Sequence, residues 1–130
     1  MEKTYAFLKE CGVYFLATAD GDAPRVRPFG TCHIFEEKLY IQTGAVKDVS
    51  KQMHKNPRIE ICACKGGNWL RLSGTAVSDG RIEAQESMLE AYPSLKNRYR
   101  AGDGNTEVWY LKDARAVLSS FGGPDVVEEF

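Results

Sequence analysis

Short runs of strand-forming residues, closely spaced and joined by tight-turn signals, leave this chain few folds to choose from. Val13 to Ala19 (VYFLATA) is rich in aromatic and β-branched residues, and Asp20-Gly21-Asp22 turns it into a second run. That run, Arg25 to Phe35, alternates so that Arg25, Arg27, Phe29, Thr31, His33 and Phe35 share one face. Pro28 cannot donate to a ladder, which predicts an edge strand or a bulge there. Glu36-Glu37 turns the chain into Lys38 to Thr43. Further runs are Arg58 to Cys64, Trp69 to Val77, Glu107 to Leu111 and Ala114 to Phe121. Lys65-Gly66-Gly67-Asn68 reads as a hairpin loop, Lys112-Asp113 as a link between the last two strands, and Gly122-Gly123-Pro124 as the end of regular structure.

Helical patterns fall only between particular strands. Glu2 to Glu10 predicts a helix ending before Gly12, and Lys47 to Lys55 one stopped by Asn56-Pro57. Arg81 to Tyr92 predicts a third, interrupted by Pro93, with a short helix over Ser94 to Arg100 and a loop over Ala101 to Asn105. A doubly wound fold needs a crossover helix after nearly every strand, so this order predicts a mainly β, closed antiparallel barrel with short helices. An oligonucleotide-binding barrel is the nearest competitor on pattern.

At 130 residues the chain reads as a single domain, residues 1–130, able to bury roughly two-thirds of the surface its unfolded chain exposes. A net charge of -1 gives no global pull toward nucleic acid or anionic lipid, so an anion site must be local. No run approaches the ~20 apolar residues of a membrane span, and the first residues (MEKTYAFLKECG) lack a signal peptide's apolar core. The expectation is a soluble, cytoplasmic protein. Cys11, Cys32, Cys62 and Cys64 lack metal-site spacing and are expected as reduced, buried thiols.

The chemistry concentrates between Arg27 and Pro57. Lys47, Ser50 and Lys51, at i, i+3 and i+4, fall on one side of a helix start, where unpaired N–H groups and the positive dipole end favour an anion. The competing reading is a solvated basic face. Arg27, from the preceding strand, adds a fork that a phosphate accepts bidentately. Phe29, Thr31, Gln42 and Thr43 offer apolar surface with donors and acceptors, as a flat heteroaromatic ring needs, although such strand faces commonly pack a core. His33 and His54 are too few and too far apart for a metal site, and neither is singled out as a general acid. Phe29, Tyr40 and Trp69 do not lie in an extended basic groove, which argues against nucleic acid.

Taken in order, FLATADGDAPRVRPFG (15–30), LYIQTG (39–44), KDVSKQMHKNPRIEI (47–61) and WLRLSGTA (69–76) resemble the pyridoxamine 5′-phosphate oxidase-like, FMN-binding split-barrel superfamily, in particular its small single-domain bacterial members. The ungapped spacing from Arg27 to Thr43 is similar to that between the superfamily's FMN-contacting Arg and its strand-end Thr. The resemblance implies a six-stranded antiparallel split barrel and a homodimer with FMN at the subunit interface. It implies Arg27, Pro28, Phe29 and Gly30 along the ring, Gln42 and Thr43 at the strand end, and Lys47, Ser50 and Lys51 at the phosphate. It puts Trp69 where the partner subunit often approaches the flavin, against the alternative of a packed loop-rim tryptophan.

Two departures matter. The C-terminal Arg-x-His substrate element of the vitamin B6 oxidases is missing, with FGGPDVVEEF in its stead, and the helix lacks their adjacent Arg-Lys pair. The function implied is therefore an FMN-dependent oxidoreductase exchanging electrons with small-molecule donors and acceptors, possible subtypes including a nitroimidazole-reductase-like enzyme, and not a vitamin B6 oxidase. The alternatives are a non-catalytic FMN-binding or electron-transfer protein and a haem-binding split barrel using His33.

Overall fold

The computed structural model describes residues 1–130. Helix α1 (Glu2–Cys11) ends at Gly12, whose φ of 75° lies in the left-handed region that glycine adopts without strain. β1 (Tyr14–Asp20) and β2 (Ala23–Phe29) form a hairpin in which Asp20 pairs with Ala23, leaving Gly21-Asp22 as a two-residue turn. β3 (His33–Phe35) and β4 (Lys38–Gly44) form the next hairpin, with both Glu36 and Glu37 at positive φ. Helix α2 (Asp48–Lys55) leads to β5 (Arg58–Lys65) and β6 (Asn68–Asp79). Helix α3 (Ile82–Ala91) and a 3₁₀ turn (Pro93–Asn97) precede β7 (Thr106–Ser120) and β8 (Val126–Glu129).

All strand pairs are antiparallel, in the order β2-β1-β5-β6-β7-β4-β3, with β8 also on β7. The fold is the expected antiparallel split-barrel class, with eight strands where six were expected. The expected closure does not occur, because β2 and β3 are free edges. Pro28 sits on one of them, where its missing N–H costs no ladder bond. Gly30, Thr31 and Cys32 span the split: Tyr14 Oη donates to Thr31 O at 2.6 Å, and Thr31 Oγ1 accepts the Gln42 N–H at 3.0 Å. The Arg25–Phe35 run is thus two strands, and the shared face expected beyond Phe29 is interrupted.

Leu16, Leu39, Ile41, Ile61, Leu70, Leu72 and Trp109 line the inside of the sheet, with Leu8 of α1 and Met53 of α2 closing the ends. Each such fully buried side chain contributes roughly 1.5–3 kcal/mol of transfer free energy. Tyr40, Ala84, Met88 and Val108 make a smaller core beneath α3.

Three further expectations are corrected. Lys112-Asp113 does not divide two strands. Asp113 takes a φ of 52° and forms a bulge opposite Gly74, where the register slips, and β7 continues. A Cβ on Gly74 would lie 3.4 Å from Ala114, so the bulged strand is accepted at close approach. Regular structure does not end at Pro124, because Val126 and Val127 pair with Leu118 and Val117. Of the four free thiols only Cys32 is buried, whereas Cys62 and Cys64 point outward from β5 because Ile59, Ile61 and Ala63 take its inner face.

β8 also holds α1. The Glu128 carboxylate accepts Thr4 Oγ1 (2.6 Å) and the backbone N–H groups of Thr4 (2.7 Å) and Lys3 (3.1 Å). Burial raises its pKa, but the Thr4 and Lys3 hydrogen bonds outweigh that and hold it at about 2.

Candidate functional site

Two concavities meet at Arg27. One is a polar cleft of about 610 Å³ between β2 and α2, lined in part by Arg25, Arg27, Asp48, Lys51 and Lys55. The other is a cavity of about 460 Å³ at the barrel's split, lined by Arg27, Pro28, Phe29, Gly30 and Thr31 on one wall and Gln42, Thr43, Lys47 and Val49 on another. Arg27 joins them because β1–β2 register puts it on the inner side of the hairpin, opposite Leu16, at the end facing α2.

Its guanidinium is pre-positioned. Nη1 donates to Thr18 Oγ1 at 2.8 Å and to Leu16 O at 3.3 Å, while Nη2 donates to Gln52 Oε1. None of these acceptors is a carboxylate, so the positive charge remains uncompensated by an ion pair. Burial lowers the Arg27 pKa, and the Asp48 carboxylate opposes that shift. Lys47 and Lys51 likewise take no part in the chain's ion pairs, whereas Arg25 is engaged by Asp20 at 3.1 Å. No side chain caps the α2 N-terminus. These features leave a positively biased position between β2 and the first turns of α2, suited to a phosphate.

Gln42 and Thr43 are buried at the end of β4, and Gln42 Nε2 donates to Thr43 O at 3.0 Å. With Pro28, Phe29 and Gly30 they form the walls on which a flat ring could lie. Seven of the ten residues singled out from sequence, Arg27, Pro28, Phe29, Gly30, Gln42, Thr43 and Lys47, therefore converge on one cavity, and Lys51 lines the adjoining cleft.

Ser50 departs from the expected arrangement. Its side chain is buried and Oγ donates to Glu107 Oε1 on β7. The i, i+3 relation assumed helical geometry at Lys47, but Lys47 is the N-cap and extended, with ψ of 150°. Glu107 also meets His54 Nε2 at 3.0 Å and accepts Trp109 Nε1–H at 3.3 Å, so this cluster pins the underside of α2 to the sheet. His33 Nε2 lies 2.6 Å from Ser87 Oγ and lines neither concavity. Burial lowers its pKa, and the Lys9 charge adds to that.

Trp69 is outside both concavities and packs on Phe121, with ring centroids 5.0 Å apart. Cross-strand register sets it opposite Cys64 and on the outer face that also carries Phe15, Val26, Pro28 and Cys62. Phe15 is 50% exposed and Val26 68%, so this outer face has an open apolar patch, beside Glu60 and Arg71 on the same face.

Sequence reasoning missed the third wall of the 460 Å³ cavity, made by Tyr92, Ser94, Leu95, Arg98 and Tyr99. Tyr92 Oη accepts the Lys9 ammonium and the Cys32 N–H and donates to Cys32 O, each at 3.0 Å, which fixes the wall to the split. Its only sequence signal is two tyrosines flanking the helix break at Pro93.

The pyridoxamine 5′-phosphate oxidase family profile matches residues 1–118. No curated protein matches the chain. Among solved structures, a NimC/NimA family protein from Clostridium acetobutylicum is 44% identical, covers 100% of this chain and 92% of its own, and superposes with a TM-score of 0.97. General Stress Protein 26 from Bacillus anthracis is 16% identical over 96% of this chain and 95% of its own, with a TM-score of 0.74. A haem-binding protein from Mycobacterium smegmatis is 15% identical over 98% of this chain and 57% of its own, with a TM-score of 0.75. The last two share the fold. No helix is long and apolar enough to cross a membrane.

Proposed function

The chain belongs to the pyridoxamine 5′-phosphate oxidase family, and from that premise we propose that it is an FMN-dependent oxidoreductase acting as a homodimer. The observation that carries the proposal is Arg27, an unpaired guanidinium at the junction of a basic cleft and a ring-sized cavity. Arg27 and Lys51 hold the phosphate, while Lys47 stands at the helix start beside the ring cavity. Pro28, Phe29, Gly30, Gln42 and Thr43 bound the isoalloxazine and keep water from one side of it. Bound FMN supplies the electron or hydride transfer, and the protein supplies placement and electrostatics.

The likeness to a NimC/NimA family protein supports the nitroimidazole-reductase-like subtype. The apolar patch of Phe15, Val26 and Trp69 on the outer face supports a second copy covering this side. A haem reading rests on His33, whose Nε2 is engaged by Ser87 and which lines neither concavity.

The test is the absorbance of purified protein and of the ligand released by heat. Flavin bands, with FMN rather than riboflavin in the supernatant, are expected. A Soret band, or a colourless protein that takes up no added FMN, refutes the proposal. Turnover with reduced nicotinamide and a panel of nitroaromatic and quinone acceptors separates an enzyme from a flavin carrier.

A further inference from the structure

The outer face of β5 carries an uncommon pair. Cysteine is among the most buried residue types, yet Cys62 and Cys64 are both exposed and both free. Two residues apart on one strand, they share a face, and such positions stand about 6.4–6.8 Å apart. A disulfide needs Cβ atoms about 3.5–4.5 Å apart, so this pair cannot close on itself. Aimed at one another, the two sulfurs stand about 4.5–5 Å apart, a gap that one atom spans with two bonds of about 2.3 Å placed end to end.

The other two thiols are withdrawn from this face. Cys32 is buried, and burial pushes its pKa up to about 12. Cys11 packs against the core from the last turn of α1, and burial, with the Glu10 carboxylate adding to it, pushes its pKa up. Nowhere in the chain do three or more His, Cys, Asp and Glu side chains gather as a metal cage, so a tetrahedral zinc site is not available. A two-coordinate site is. Thiolates select soft cations, of which Cu(I) takes two sulfurs in a line.

The neighbours suit the charge of such a complex. Two thiolates and one Cu(I) carry one net negative charge, and Arg71, directly across from Cys62 on β6, takes part in none of the chain's ion pairs and answers it. Glu60 shares the face, but on the side of Cys62 away from Cys64. Phe15 across from Cys62 and Trp69 across from Cys64 flank the pair with apolar surface.

We infer that Cys62 and Cys64 form a bis-thiolate site for Cu(I) on the outer face of β5. Each thiol releases its proton to solvent as its sulfur bonds the metal, and Cu(I) keeps its oxidation state. The pair lines neither concavity at Arg27, and the inference does not rest on the flavin proposal.

The experiment is anaerobic titration of the purified protein with Cu(I) supplied as its bicinchoninate complex, whose colour fades as the protein takes the metal. Wild type is expected to take one Cu(I) per chain with two sulfur neighbours by X-ray absorption, and to lose Trp69 fluorescence as it does so. Cys62→Ser and Cys64→Ser, both at exposed positions, keep the wild-type Tm and each weakens Cu(I) by more than the roughly 10–100-fold that loss of an outer partner costs. Cys11→Ser keeps wild-type affinity. No uptake by wild type, as when a second copy closes this face against the metal, overturns the inference. So does uptake that survives either β5 substitution, or an equal loss in Cys11→Ser and Cys64→Ser with Cys62→Ser unaffected, which would move the site to the junction of α1 and β5.

Discussion

Replacing Lys51 by Ala separates phosphate recognition from ring recognition. Lys51 lines the cleft beside Arg27 and does not line the ring-sized cavity, so under the proposed assignment its ammonium is expected to act on the phosphate and not on the isoalloxazine. At about 4 Å a pair of unit charges is worth about 1 kcal/mol in water and about 4 kcal/mol at the effective permittivity of a protein surface. A hydrogen bond to a charged group contributes about 1.5–3 kcal/mol. Lys51 is exposed, which puts the loss at the lower end of that range, near 1.5 kcal/mol and about 10-fold in Kd. Fluorescence titration of apoprotein with FMN and riboflavin reads it directly. FMN weakens about 10-fold and riboflavin is unchanged. Raising salt through the range where the Debye length falls to about 3 Å erodes wild-type FMN affinity and leaves the variant less salt-sensitive. Equal weakening of both flavins, or no change in either, would refute the assignment of phosphate to the cleft.

Other expectations concern the scaffold and the outer face. Glu128→Ala removes the acceptor of three hydrogen bonds at the start of α1 and costs about 1.5–3 kcal/mol, seen as a lower Tm. Because the folded-state pKa of Glu128 is depressed to about 2 from an ordinary 4.5, its contribution is present above pH 4.5 and lost as pH falls toward 2. Glu128→Gln should therefore flatten the acid limb of a stability-against-pH curve, and an unchanged limb counts against the clamp. Trp69→Ala should alter flavin fluorescence or acceptor rates if a partner subunit covers the outer face, and unchanged spectra and kinetics would return Trp69 to packing with Phe121. Glu107→Ala leaves Ser50 Oγ buried without its acceptor and should cost about 1–3 kcal/mol by thermal denaturation, with no change if the cluster does not anchor α2.

Much of the fold was legible because its signals are local. Gly12, Asp20-Gly21-Asp22, Gly66-Gly67 and Asn56-Pro57 end or turn elements within a residue or two of the expected positions. The errors arise where a tertiary partner overrules a local signal. Lys112-Asp113 has turn chemistry, but pairing with β6 on both sides absorbs it as a bulge. Gly122-Gly123-Pro124 interrupts the chain, yet the free side of β7 recruits the next residues as β8. Within the site, the residues that the family resemblance singled out on β2 and β4 do line two walls of one cavity, although alternation alone divided Arg27 and Phe29 from Pro28 and Gly30. Ser50 lies apart from Lys47 because Lys47 is a cap rather than a helical residue and Glu107 engages the Ser50 hydroxyl, and the Tyr92–Tyr99 wall escaped because it is brought in from about fifty residues away along the chain.

The Glu128 clamp ties the first helix to the last strand across 124 positions of sequence. Closing a loop of that length costs roughly 4 kcal/mol of chain entropy before any contact rewards it. During synthesis, α1 is made first but must wait for Glu128 to emerge from the ribosome before its N-terminal N–H groups find their acceptor. The β1–β2 and β3–β4 hairpins close locally and carry no such cost. β7, which joins β4 to the rest of the sheet and holds α2 through Glu107, is also made before Glu128, so the basic cleft can form while the first turn of α1 still lacks its acceptor.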